Sequence, residues 1–344
     1  MTAPRLILPL VLVLAACEHT TPFSPGRYTP SGPFATGNPL RLTYSTGVDA
    51  WPTWLPDGSA ILYTQERLDQ ADHDEGLTTL PAGGGVTTRT VCAASDPAGD
   101  SLNVYQSPAV SADGRLAYVR LSTLAFAGRG VPDYAQLVLA AYATPLAATV
   151  LEPLSYFSPA GRSVDLVRDI RFIGATTLVY LAEQATYTCA NFGCTAIDTT
   201  VAGLDVERLD FAAAPPVLSV VPATDSATSV AAGAADTIYF TRAGSGQVHR
   251  RILSTGADTV LADFGTAATD LSQSGSRLAV ILGSTLRVVD WSTGFDQSYA
   301  VAGTDIHHPA LSPDGHRLVA ELAPVDSATY RETAPTDLWL WTLP

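Results

Sequence analysis

From residue 40 onward the chain alternates apolar and polar residues in short runs, each broken by a cluster of Pro, Asp and Gly. A period of two in runs this short predicts strands joined by tight turns, hairpins rather than helix pairs. The breaks are themselves a repeat. Trp51-Pro-Thr-Trp-Leu-Pro-Asp-Gly58 leads into Ser59-Ala-Ile-Leu-Tyr-Thr64, Ser107-Pro-Ala-Val-Ser-Ala-Asp-Gly114 into Arg115-Leu-Ala-Tyr-Val-Arg120, and His308-Pro-Ala-Leu-Ser-Pro-Asp-Gly315 into His316-Arg-Leu-Val-Ala-Glu321. Weaker copies begin at Asp169, Val230 and Leu271. In each, Pro presets φ, Asp bonds the backbone ahead and Gly accepts a positive φ, so the chain reverses.

Two further strands follow most hairpins, as in Thr285 to Trp291 and Gln297 to Val301. Four strands per unit and six units predict an all-β fold, a six-bladed β-propeller of four-stranded antiparallel blades. The glycine-to-glycine spacing falls from 56 (Gly58 to Gly114) to 40 (Gly275 to Gly315), so the early blades are expected to carry loop insertions. The last unit offers a third strand, Asp337 to Thr342, and no fourth, while Leu40 to Tyr44 stands alone ahead of the first unit. Residues 40–45 are therefore expected to complete the last blade and close the ring, leaving no open edge at the seam.

The Pro-Thr-Trp-Leu-Pro-Asp-Gly and Pro-Ala-Leu-Ser-Pro-Asp-Gly stretches resemble the repeats of TolB-type propellers, with Leu42-Thr43 matching that family's fourth-strand ending. The resemblance spans residues 40–344 and implies a single propeller domain in the cell envelope that works through protein contacts. The helical domain that precedes the propeller in TolB has no counterpart here, and the shared motif is structural, so no partner and no functional residue carries over.

Ahead of the repeats, a short start with Arg5 is followed by an apolar run from Leu6 to Ala16. That run is too short to span a bilayer and fits the core of a signal peptide. It ends in Leu14-Ala15-Ala16-Cys17, which resembles the bacterial lipoprotein box. The resemblance implies a signal peptide over 1–16 and a lipidated Cys17. Residues 17–39, with prolines at 22, 25, 30, 33 and 39, read as a flexible tether with a reach of roughly 25 Å. Glu18 rather than Asp after the Cys leans the address to the outer membrane, with the head facing periplasm or exterior.

Composition narrows the partners. The formal net charge is −14, and all nineteen basic residues are Arg. This balance lacks the basic footprint that nucleic acid requires and disfavours docking on anionic lipid by charge. The lipid anchor supplies membrane attachment, and the head is expected to be monomeric. Cys189 and Cys194 flank a Gly, which in an oxidising compartment predicts a disulfide across a hairpin tip. The alternative, a zinc site, finds no His or further Cys nearby in sequence. Cys92 reads as a small buried strand residue.

Signals for reaction chemistry are sparse. There is no Gly-x-Ser-x-Gly elbow for a serine nucleophile. Asp49 and Asp169 lie just ahead of first strands and, with Gln106, Thr228 and His308, are the candidate channel-mouth binding residues. They are a mixed set, short of the six to eight oxygens that calcium wants. His307 and His308 are adjacent, so on a strand they would face opposite ways, a channel His beside a packed one. The run Asp69 to Glu75 reads as a solvated insertion, and Trp51, Trp54, Trp339 and Trp341 as core between blades. No cofactor, metal or catalytic residue is assigned. The expected function is a protein- or peptide-binding module in the envelope. The alternative is a channel-sited metal-dependent hydrolase, lactonase-like, or a glycan or small-molecule receptor.

Overall fold

The structure, a computed structural model, describes residues 37–44, 47–66, 75–91, 101–124, 134–156, 162–189, 197–324 and 335–344. Strand β1 is Leu40–Arg41. Blade 1 follows with β2 (Val48–Trp54), β3 (Ala60–Glu66), β4 (Glu75–Pro81) and β5 (Thr88–Val91). Blade 2 holds β6 (Ser101–Val110), β7 (Arg115–Leu124), β8 (Tyr134–Ala141) and β9 (Thr144–Tyr156). Blade 3 holds β10 (Arg162–Ile173), β11 (Thr177–Cys189), β12 (Ile197–Asp210) and β13 (Val217–Val220). Blade 4 runs from β14 (Ala227–Ala232) through β15 (Thr237–Arg242) and β16 (Gln247–Ile252) to β17 (Asp258–Asp263). Blade 5 comprises β18 (Ala268–Ser274), β19 (Arg277–Leu282), β20 (Thr285–Asp290) and β21 (Phe295–Tyr299). Blade 6 has β22 (Thr304–Leu311), β23 (Arg317–Pro324) and β24 (Asp337–Thr342), with β1 as its fourth strand.

The all-β, six-bladed, ring-closed arrangement is thus the one the repeats predict. Closure is direct: Leu40 and Arg41 pair antiparallel with Leu340 and Trp339, and the Leu42 amide donates to the Leu338 carbonyl at 2.8 Å. A second tie crosses the same seam, where Val48 bridges Thr336 in parallel and the Asp49 amide meets Thr336 Oγ1 at 3.0 Å. Among the described residues, the extra length of blades 2 and 3 lies in long strands rather than in loops, reaching 14 residues in β12 against six or seven in β14 to β19.

Among the described residues the apolar core is divided between blades rather than gathered at one centre. Each of six apolar clusters lies between two neighbouring blades, because each sheet buries both faces against its neighbours. The seam is sealed like the rest: Leu42, Trp54, Ile61 and Tyr63 pack on Ala310, Val319, Leu338 and Leu340. Trp54 also donates from Nε1 to the Ala310 carbonyl at 2.9 Å, and Trp341 is fully buried between blades 5 and 6.

The repeat residues explain the hairpins. Gly58 and Gly315 adopt φ of +69° and +74°, where a Cβ would be strained. Asp57 accepts from the amide and hydroxyl of Ser59, and those bonds hold its carboxyl below the usual range. Ser312 Oγ accepts from the Arg317 amide at 2.9 Å and donates to Asp314, so the turn is braced from both sides. The Arg that opens the returning strand reaches onward to the next blade. Arg317 Nη2 donates to the Gly58 carbonyl at 2.9 Å, Arg277 Nη1 to that of Gly315 at 2.7 Å, and Arg115 Nη1 to that of Ala175 at 2.8 Å. These are blade-to-blade latches on the hairpin face, and Arg317 adds a contact over the Trp54 ring at 4.6 Å.

Cys17, Cys92 and Cys194 lie outside the described residues, and Cys189 is described only as the end of β11. The expected lipid anchor, the tether as far as residue 36 and the disulfide fall there too, as does most of the Asp69 to Glu75 run.

Candidate functional site: the channel

The innermost strand of every blade carries a β-bulge at the same place. Between Ala50 and Thr53, Gln106 and Ala109, Arg168 and Arg171, Ala227 and Ser229, Ala268 and Leu271, and His307 and Ala310, one extra residue is inserted relative to the partner strand. A bulge breaks the two-residue alternation and re-aims a side chain. Trp51, Ser107, Asp169 and His308 sit at these bulges with φ of +48°, +49°, +54° and +44°, left-handed values uncommon for residues other than Gly. Three of the four precede Pro, which itself favours extended backbone, so the packing around them holds a strained conformation. These four residues, with Pro52, Pro108 and Arg171, line a small cavity of about 10 Å³ that forms the neck of the channel.

The polar groups of the neck are well braced. Asp169 Oδ2 accepts from Ser229 Oγ at 2.9 Å and from the Val230 amide at 3.3 Å, and Ser229 Oγ in turn accepts from the Leu271 amide at 3.0 Å. His308 Nδ1 lies 2.6 Å from Oε2 of the fully buried Glu321, and its ring tilts against Trp51 at 5.3 Å. His307 approaches Asp270, Nδ1 to Oδ2, at 3.8 Å. Burial alone would lower the His307 pKa, but the Asp270 contact and the charges of Glu321, Asp270 and Asp305 outweigh it and raise it. For Asp270 the balance is the mirror image. Burial favours its neutral form, yet His307, His308 and Arg168 hold the carboxyl well below the ordinary range. Ser107, only 3% exposed, places Oγ in the neck with no hydrogen-bond partner.

Above the neck the channel widens, on the face that carries the first hairpin of each blade, into a cavity of about 440 Å³. All six blades contribute to its wall, among them Thr53, Ala109, Phe172, Ala232, Gln273 and Leu311. The wall is made mostly of small apolar and neutral polar side chains. Arg171 belongs to both cavities and stands where the mouth meets the neck. Its Nη1 donates to the Ile170 carbonyl at 2.9 Å, and among the described residues no carboxylate forms an ion pair with it. Among the described residues, too, no three His, Cys, Asp or Glu side chains come together as a metal-holding group.

No protein-family model matches the chain, and no curated protein does. Solved structures do. The chain is similar to regucalcin, a calcium-binding protein from Agrobacterium tumefaciens str. C58, at 14% identity and a TM-score of 0.54 over 88% of this chain and 92% of that one. It is similar to an oligogalacturonate lyase in complex with manganese at 14% identity and a TM-score of 0.50, over 90% of this chain and 98% of that one. TolB from Acinetobacter baumannii matches at 16% identity and a TM-score of 0.48, over 86% of this chain and 63% of that one, so the chain spans less than two thirds of that protein. The likeness is one of fold.

Of the residues expected at the channel mouth, Asp169 and His308 line the neck. Gln106 and Thr228 are half-buried and stand one residue before Ser107 and Ser229, with Thr228 Oγ1 bonded to Thr241 Oγ1 at 2.8 Å and to the Ala268 carbonyl at 3.2 Å. Asp49 is placed elsewhere. It is fully buried at the seam with the last blade, accepting from Gln65 Nε2 at 3.0 Å. Trp51, expected in the core between blades, instead stands in the channel neck, because the bulge separates it from the face that Trp54 buries. Sequence reasoning missed Ser107, Arg171, Ser229 and Asp270. The signal for Ser107 was present: it precedes the repeat's first Pro, as Trp51 and His308 do.

Proposed function

We propose that the chain is an envelope lipoprotein, anchored by acyl chains on Cys17 to the outer membrane and facing periplasm or exterior, whose propeller head binds a protein or peptide at the hairpin face of the channel. The observation that carries this reading is the mouth cavity, walled by six blades and floored by a rigid polar neck. Backbone hydrogen bonds and inter-blade packing fix the wall, and a pre-formed concave surface with a few convergent polar groups is the usual form of a binding site. The net charge of −14 favours a partner that is not a nucleic acid. The test is capture of partners from detergent-solubilised envelope by the full chain and by Thr53→Trp, which narrows the mouth. A partner recovered with the parent chain and lost with the variant supports the reading; equal recovery, or nothing above background, counts against it.

A second reading, a channel-sited hydrolase or small-molecule receptor, draws on the acidic and imidazole groups around the neck: Asp169, Asp270, His307, His308 and Glu321. A panel of lactones, esters and glycans, with calcium or zinc added, separates the two. Turnover that depends on the metal and falls in Asp169→Ala would reverse the order of preference.

A further inference from the structure

Arg171 poses a question that the rest of the fold does not answer. Other channel and latch arginines are committed to the architecture: Arg115, Arg277 and Arg317 tie blade to blade, and Arg168 Nη2 holds the Thr228 carbonyl at 2.9 Å. Arg171 makes one local hydrogen bond, to the carbonyl of its own neighbour Ile170, and presents the remainder of its guanidinium to the junction of mouth and neck. Ser107 Oγ, buried and without a hydrogen-bond partner, lines the same neck. A planar cation with donors to spare, beside a buried hydroxyl, matches an anion with two oxygens.

From this geometry we infer that the channel mouth binds a ligand through a carboxylate held by Arg171, a step that rests on the channel-face reading above. The charge around the site sets the class. One guanidinium faces the ligand, Asp169 stands in the same neck, and the whole chain carries −14, so a monoanion is tolerated where a phosphate dianion would be repelled. The neck, at about 10 Å³, has room for a single water-sized group. The carboxylate therefore stops at Arg171 with one oxygen toward Ser107, and the body of the ligand fills the mouth against Phe172, Ala232 and Leu311.

The experiment titrates the full chain with three probes and follows Trp fluorescence, because Trp54 forms part of the mouth wall. The probes are N-acetyl-trialanine with a free C-terminus, the same peptide amidated, and glucuronate. Saturable binding of the free acid, weakened about tenfold or more by amidation, is the expected result. Arg171→Leu should bind acid and amide alike, and Arg171→Lys, which keeps charge but not the fork, should fall between. Saturation by glucuronate alone would keep the carboxylate and identify its source as a free organic acid rather than a peptide end. Equal binding of acid and amide by the parent chain, or no binding of any probe, overturns the inference even if the variants fail to fold. If envelope capture is blocked by Thr53→Trp but untouched by Arg171→Leu, the channel-face reading stands and the carboxylate falls; if neither variant affects capture, both fall.

Discussion

Asp337 lies where the ring closes, and its titration links pH to the strength of that closure. Burial first, and then the neighbouring Asp49, push its pKa from 3.8 up to about 7, against the opposing pull of Arg41 and Thr43. Arg41 Nη2 is 2.6 Å from Asp337 Oδ2, and the side chain of Asp337 is 11% exposed. Because the folded pKa is the higher one, the folded chain keeps a proton that the unfolded chain has released between about pH 4 and about pH 7. This contribution to stability is fully present below about pH 4 and is lost as pH rises through about 7. Three units of difference at about 1.4 kcal/mol each set a ceiling of about 4 kcal/mol. Asp337→Asn keeps the shape without the titration. Urea unfolding of the parent and the variant should therefore diverge with rising pH, the variant gaining on the order of 2–4 kcal/mol relative to the parent between mild acid and mild base. Parallel stability curves across that window would show that Asp337 does not titrate there.

Other perturbations probe other links. Trp341→Ala empties a fully buried site between blades 5 and 6 and should cost about 3–5 kcal/mol in urea unfolding. Leu42→Ala removes the side chain with which the closing segment enters the seam cluster and should cost about 2–4 kcal/mol, with faster proteolysis at the N-terminal end of the head. Cys17→Ser should abolish acylation at that residue and release the protein from membranes in fractionation; unchanged membrane retention would remove the lipid anchor from the account.

The architecture was legible because the turn residues carry it. Pro, Asp and Gly mark each hairpin chemically, and the unpaired Leu40 to Tyr44 beside a three-stranded last blade implied the seam that Leu40 and Leu340 form. The site was less legible, for a reason rooted in strand geometry. Facing is counted by twos along a strand, and one inserted residue reverses the count. Nothing in the side chains announces that insertion except the Pro that follows three of the bulges. Asp169 and His308 stand at the bulge itself, while Gln106 stands one residue before it and Asp49 two residues before, at the seam; Thr228 is the inserted residue of its blade, but its hydroxyl is bonded to Thr241 and the Ala268 carbonyl. Arg171 sits within a degenerate copy of the repeat, where the sequence reads as an ordinary hairpin. The latch arginines were also hidden, since their role depends on the next blade being alongside.

Partners are expected to meet the hairpin face of the channel rather than the outer strands, although β13 offers the exposed apolar residues Val217, Leu218 and Val220. A photo-crosslinking amino acid placed at Gln273 in the mouth, and separately at Leu218 on β13, tests this in living cells. A discrete adduct from position 273 and none from position 218 is the predicted result. An adduct from position 218 alone, or none from either, would contradict it.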